Sequence, residues 1–177
     1  TRAPGATNAA SGVYVAAQGQ TPMILFVGLP PRARAHLTAF QKFDLAGLYG
    51  GMAKHVEIAS ATTQLPETVS RAYAVALNGR PGPVVVGLPE DVLSETADVP
   101  DTPYIDAARS EPSQAAMDEI AAHLAAAEQP IVIVGGPRWS AATQEAVQTF
   151  ALAFDLPVAA AFRAQDYLDN RHPSYCG

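Results

Sequence analysis

Cysteine is nearly absent: Cys176 is the single one, so an internal disulfide and a thiolate metal site are both excluded. His36, His55, His123 and His172 lie far apart, without the spacing of a zinc site, and no metal ligation is expected of them. No apolar run approaches the ~20 residues that a helix needs to cross a bilayer. The charged-then-apolar pattern of a secretory leader is missing at Thr1, although a shortened start would have removed one. A cytoplasmic protein without membrane contact is the expectation. Positive charge is scarce and scattered, 11 Lys and Arg against 17 Asp and Glu, for a net charge of −6. Nucleic-acid binding needs a clustered basic face and is not expected. What is there is apolar: 49% hydrophobic and only 16% charged residues, enough for a sizeable core in one domain or two small ones.

Short apolar runs alternate with helical stretches. Met23–Val27, closed by Gly28, and Pro83–Gly87 are continuous apolar segments of the kind buried on both faces of a parallel sheet. Between them a helix is expected from Thr63 or Gln64 to Asn78, with Leu65, Val69, Ala72, Tyr73, Ala76 and Leu77 on its apolar face and Gly79 as its stop. Residues 92–112 then turn polar and proline-punctuated, with Pro100, Pro103 and Pro112 among acidic residues. Beyond them Ser113 is expected to cap a helix to about Ala127 bearing Met117, Ile120, Ala121 and Leu124 on one face. Strands follow at Pro130–Val134 and Pro157–Ala161, with a Ser140-capped helix to about Phe154 between them. The fold class is therefore α/β, as two incomplete doubly wound parallel-sheet units of about two strands each.

Four places carry candidate chemistry. Pro4 fixes one torsion and Gly5 frees the next, so Thr1–Asn8 is expected to bend sharply, with Thr7 and Asn8 capping a helix over Ala9–Ala17. Such a bend is either an ordinary connection with a good cap or a cradle whose N–H groups face a ligand. Phe40 and Gln41 follow Pro30–Pro31 and the closely spaced Arg32, Arg34 and His36. They are either a core residue with a solvated neighbour or an apolar ring and an amide lining a pocket. Glu90 and Asp91 end a strand, where turn and capping duties outweigh acid–base chemistry. Gly135–Gly136 resembles half of a nucleotide-binding turn but lacks the full G-x-G-x-x-G spacing.

Arg2–Asn8, Gln20–Gly28, Ala39–Gln41, Met52–His55 and Gly79–Asp91 follow one another as in thiamine diphosphate-dependent enzymes, and the chain most resembles the acetolactate synthase-like group. Asp166–Pro173 is similar to part of that family's middle domain. The resemblance divides the chain into 1–98, the C-terminal part of the pyrimidine-binding domain, 99–112, a linker, and 113–177, the N-terminal part of the middle domain. It places Pro4, Gly5 and Asn8 near the aminopyrimidine of thiamine diphosphate. It places Phe40 and Gln41 as catalytic-site residues facing a small 2-oxo acid across a subunit boundary. A homodimer or homotetramer is implied, and the incomplete sheets should leave apolar surface that favours association. Ala3 stands where many members carry Gly, and Lys42 where the family often has Glu; the second change bears on the substrate more than on the cofactor.

In the family a glutamate upstream of the Pro-Gly-Ala-Thr-Asn turn hydrogen-bonds the pyrimidine, and a third domain supplies the diphosphate and Mg²⁺ site through a Gly-Asp-Gly motif. Both lie outside these residues, so this stretch is expected to be an inactive fragment of an enzyme that makes or breaks bonds beside a carbonyl. Family middle domains bind FAD or an adenine nucleotide in some members and nothing in others. Pro137–Ser140 does not decide between these, and a vacant, structural middle domain is expected. The alternative is a nucleotide-binding or structural α/β module without catalysis. Limited proteolysis is expected to cut first within 99–112, and first cleavage inside Met23–Val27 or Ile131–Val134 would contradict the division.

Overall fold

In chain order the elements are α1 (Ala3–Gln18), β1 (Met23–Leu29), α2 (Leu45–Tyr49), β2 (His55–Ile58), α3 (Leu65–Leu77), β3 (Pro83–Pro89), α4 (Glu90–Ser94), α5 (Gln114–Ala126), β4 (Val132–Val134), α6 (Ala141–Ala153) and β5 (Val158–Ala160). Single 3₁₀ turns lie at Arg32–Arg34 and Thr62–Gln64. The computed structural model describes residues 1–108 and 110–177, and the chain parts into two units, Thr1–Ala108 and Arg109–Gly177.

The first unit is a parallel sheet in the order β1-β3-β2. Its middle strand is sealed on both faces, with Val84, Val85 and Val86 all at 0% exposure. Val84 and Val86 pack with Ala72 and Ala76 of α3. Val85 points the other way, into a cluster of Ala6 and Val13 from α1 with Leu45 and Tyr49 from α2. This period-two division explains why the strand reads as an unbroken apolar run: each alternate residue has its own helix layer. On α3 the most buried line is Thr68, Ala72 and Ala76, while Tyr73 is half exposed. Small side chains there let the helix lie close on the valines, so the bulkier members of the expected face sit on its flanks.

Three local expectations change. The first unit has three strands rather than about two, because His55–Ile58 is a strand and not only a corner. Its sequence, His-Val-Glu-Ile, is short and carries charge, as suits a sheet edge but not a run buried on both faces. Pro4 and Gly5 do not bend the chain; they lie in the first turn of α1 behind Arg2 as N-cap. Proline fits that first turn, since its fixed torsion is helical and its missing N–H has no partner to lose. Thr7 and Asn8 are therefore inside the helix and cap nothing. The Thr7 hydroxyl instead donates back to the carbonyls of Ala3 (3.0 Å) and Pro4 (2.9 Å).

Residues beyond α4 are tied to the first unit. Ser70 Oγ donates to the Pro103 carbonyl (3.0 Å), and the Ala108 N–H donates to Asn78 Oδ1 (2.7 Å). The expected linker 99–112 includes Arg109, which lies outside the described residues.

In the second unit β4 and β5 pair in parallel over a core of Val134, Ala151, Leu156, Val158 and Leu168. Ser113 and Ser140 cap α5 and α6, accepting from the N–H groups of Ala116 and Thr143 at 3.2 Å. The stripe of Met117, Ile120 and Leu124 on α5 is present but uncovered. Among the described residues no helix is long and apolar enough to cross a membrane.

Gly87 marks the tightest point of the first core. A Cβ there would stand 2.7 Å from Leu29 Cδ1 and 2.9 Å from Leu45 Cδ2. Overpacking costs about 1–3 kcal/mol, against a gain of about 0.4–1 kcal/mol from a stiffer unfolded chain. Gly87→Ala is therefore expected to lower stability in urea unfolding; an unchanged or raised midpoint would contradict this packing.

Candidate active site at the carboxyl edge of the sheet

Because β1, β2 and β3 are parallel, their following segments gather at one edge, and open α/β sheets bind ligands outside that edge. The start of α1 is held there. The Gly28 N–H near the end of β1 donates to the Thr1 carbonyl (3.0 Å), and Arg2 pairs with Glu90, the residue after β3. Pro4 and Asn8, one turn apart, form one exposed stripe of α1. Gly5 serves close approach rather than a bend: a Cβ on it would come within 2.0 Å of the Thr1 side chain. Tyr49, whose hydroxyl donates to the Ala6 carbonyl, locks α2 against the same helix, and burial pushes its phenol pKa up.

The segment from Pro30 to Asp44 leaves β1 and returns at α2, where Asp44 accepts from the Gly47 N–H (2.9 Å) as N-cap. Phe40 is 87% exposed, so it belongs to no core of this chain. Gln41 is half-buried with φ of +62°. Gln20 and Asp155 also have positive φ, but they close helices, where left-handed backbone is ordinary. Gln41 closes none; it is the third residue of a turn that the Lys42 N–H closes on the Ala39 carbonyl (3.1 Å), and Arg138 has a positive φ in the loop before α6. A cavity of about 550 Å³ lies beside this loop, lined by Leu29, Pro30, Arg32, Phe43, Leu45 and Pro89 among others. Phe40 and Gln41 are outside its lining, and among the described residues no hydrogen bond joins them to Pro4, Gly5 or Asn8.

Arg32 holds the edge together. Its guanidinium donates to Asp91 Oδ2 (2.7 Å), Glu95 Oε1 (2.7 Å) and the Ser60 carbonyl (2.6 Å), while its own N–H donates to Asp91 Oδ1 (3.0 Å). The side-chain hydrogen bond from Arg32 holds the Asp91 carboxyl below the usual aspartate range. Glu90 and Asp91 thus open α4 and bind arginines. Sequence reasoning noted Arg32 only as one of a basic cluster; its acidic partners lie 59 and 63 positions away, where no local pattern reveals them.

In the second unit's candidate turn both glycine carbonyls are engaged by side chains. Trp139 Nε1 donates to the Gly135 carbonyl and Tyr167 Oη to the Gly136 carbonyl, both at 2.9 Å, and the two rings stack at 4.8 Å. Helix α6 starts only at Ala141, so Gly135–Gly136 does not lead straight into a helix N-terminus. Among the described residues no group of three or more His, Cys, Asp and Glu is placed to hold a metal ion.

The family model described as the thiamine pyrophosphate enzyme N-terminal TPP binding domain matches residues 1–48, and that of the central domain matches residues 117–177. Together they take up more than half of the chain. The chain belongs to the thiamine pyrophosphate enzyme family. Acetolactate synthase of Arthrospira platensis is 29% identical over 185 residues, covering 100% of this chain and 32% of that protein. The isozyme 3 large subunit of acetolactate synthase from Escherichia coli (strain K12) is 32% identical, covering 89% of this chain and 29% of the relative. This chain therefore spans about a third of the length of the curated relatives it matches. In fold it is similar to a thiamine diphosphate-dependent 4-hydroxybenzoylformate decarboxylase of Rhodococcus jostii RHA1. The TM-score is 0.86 at 21% identity, covering 99% of this chain and 34% of that one. The N-terminal family match takes in both α1 and the Phe40–Gln41 loop.

The lowered Asp91 pKa has a checkable consequence. Its native carboxylate is favoured, so its small stabilising contribution is fully present above about pH 4 and is lost as pH falls through the depressed native value. An NMR titration is expected to place Asp91 below ~3.9, and Arg32→Ala to return it toward that value. An Asp91 that titrates normally in the unsubstituted protein would show that the contact does not form in solution.

Proposed function

We propose that this chain is the pyrimidine-side and central part of a thiamine diphosphate-dependent enzyme acting on small 2-oxo acids, an acetolactate synthase-like carboligase or decarboxylase. The observation that carries it is the Pro4–Asn8 stripe, held at the carboxyl edge of a parallel sheet in a chain that matches both domain models. A compact apolar ring beside an amide with donor and acceptor fits a planar heteroaromatic ring that hydrogen-bonds along its edge. The residues present thus suit an aminopyrimidine. Pro4 would pack on it, Asn8 would hold its edge, and Gly5 would keep the backbone close. When bound, the cofactor supplies an electron sink that lets a bond beside a carbonyl be made or broken.

Gln41 orients the 2-oxo acid through its amide, and Phe40 supplies an apolar wall that keeps water from the reacting carbon. An 87% exposed phenylalanine makes sense against another subunit, which supports a homodimer or homotetramer whose site is completed across the boundary. The diphosphate and Mg²⁺ belong, on this reading, to a domain beyond these residues. Gly135–Gly136 lacks the full glycine spacing and does not lead straight into a helix N-terminus, which weighs against FAD or another nucleotide there.

Two substitutions in the full-length protein test the assignment. Asn8 caps nothing and alanine is the better helix former, so Asn8→Ala should leave stability equal or slightly higher. Loss of one hydrogen bond should still weaken thiamine diphosphate binding roughly three- to tenfold. Gln41→Ala should leave cofactor affinity alone and reduce kcat/KM for a 2-oxo acid by about 1–3 kcal/mol of transition-state stabilisation. The reverse pattern, with Gln41 controlling cofactor affinity and Asn8 silent, would overturn both roles.

A further inference from the structure

The loop carrying Phe40 and Gln41 is exposed throughout residues 32–38 and is folded by short turns of its own, among them the Leu37 N–H donating to the Arg34 carbonyl (3.1 Å) and the Lys42 N–H to the Ala39 carbonyl (3.1 Å), so what remains to be set is where its ends stand. Its far end is set by Asp44, which caps α2, and by Lys42 Nζ, which donates to the Leu37 carbonyl (3.2 Å). Its near end is set by Arg32. The Nε, Nη1 and Nη2 groups of that one side chain each bind a different segment: Asp91 at the start of α4, Ser60 after β2, and Glu95 after α4. The segments behind all three strands of the sheet therefore meet on a single guanidinium.

We propose that Arg32 is a positioning residue for the catalytic loop, setting the angle at which the chain leaves β1 and thereby where Gln41 stands. This rests on the role given to Gln41 above. The chemistry demands arginine, because lysine is a point charge and cannot present a planar fork of donors to three partners in different directions. The left-handed backbone of Gln41 is held by the turn that the Lys42 N–H closes on the Ala39 carbonyl (3.1 Å), and Arg32 anchors the loop carrying that turn on the β1 side. Exposed ion pairs contribute little to global stability. Loss of Arg32 should accordingly appear in loop order and catalysis and hardly in Tm.

The test compares Arg32→Ala, Arg32→Lys, Gln41→Ala and the Arg32→Ala/Gln41→Ala double variant in the full-length protein with Mg²⁺ and thiamine diphosphate. Hydrogen–deuterium exchange over residues 33–43 is expected to rise in both Arg32 variants, with β1 and β3 unchanged and cofactor affinity retained. With pyruvate, 2-oxobutyrate and phenylglyoxylate as probes, kcat/KM should fall about ten- to a hundredfold in each Arg32 variant. Once Gln41 is already alanine, removing Arg32 should add almost nothing. Unchanged exchange, an equal fold-loss with and without Gln41, or full activity of Arg32→Lys would each overturn the proposal while leaving the Gln41 role intact. A silent Gln41→Ala would instead overturn the role of Gln41 and the proposal with it. Failure of both Arg32 variants to fold would make Arg32 a residue of global stability and refute positioning.

Discussion

Burial of β3 on both faces is the constraint on which the first unit depends. A strand with no solvent face needs a neighbour on each side and a helix layer above and below. Val84 and Val86 take α3 for one layer, and Val85 takes α1 and α2 for the other. Parallel pairing with β1 and β2 then requires crossover connections, and all three strands point the same way. The gathering of α1, the 30–44 loop and α4 at one edge is a consequence of that topology. A ligand site there requires no further architectural device.

Electrostatics trims this edge. Arg2 meets Glu90, and Arg32 meets Asp91 and Glu95, so the acidic residues around α4 neutralise two arginines from separate parts of the chain. In water each pair contributes little free energy. Their effect is geometric: Arg2 fixes where α1 begins, and Arg32 fixes where the β1–α2 segment turns away. The same contacts account for the acidic stretch after β3, whose first members are structural partners and not free surface charge.

The second unit shows a different balance. Its two-stranded sheet covers Ala151 and Leu156 but leaves the α5 stripe, Ile131, Ile133 and Phe162 open. The Trp139–Tyr167 stack, by contrast, is complete in itself and satisfies both glycine carbonyls of the turn.

Strands β1 and β3, helices α3, α5 and α6 and the serine caps were legible because each depends on neighbours within a few residues: an apolar run, a three-and-four spacing, a hydroxyl before a helix. The candidate residues Pro4, Asn8 and Gln41 were legible only as motif order, and the local reading of Pro4–Gly5 as a bend was wrong, because proline and glycine are also tolerated in a first helical turn. Strand β2 escaped notice since an edge strand needs no continuous apolar run. Sequence by itself determined the α/β class, the two-unit layout and the apolar budget of the core. Tertiary structure alone decided that Arg32 meets Asp91, Glu95 and Ser60, that small residues of α3 take the deepest positions, and that Trp139 and Tyr167 bind the carbonyls of the glycine turn. Those outcomes depend on groups far apart in sequence, which only the parallel crossovers bring within hydrogen-bonding and packing distance.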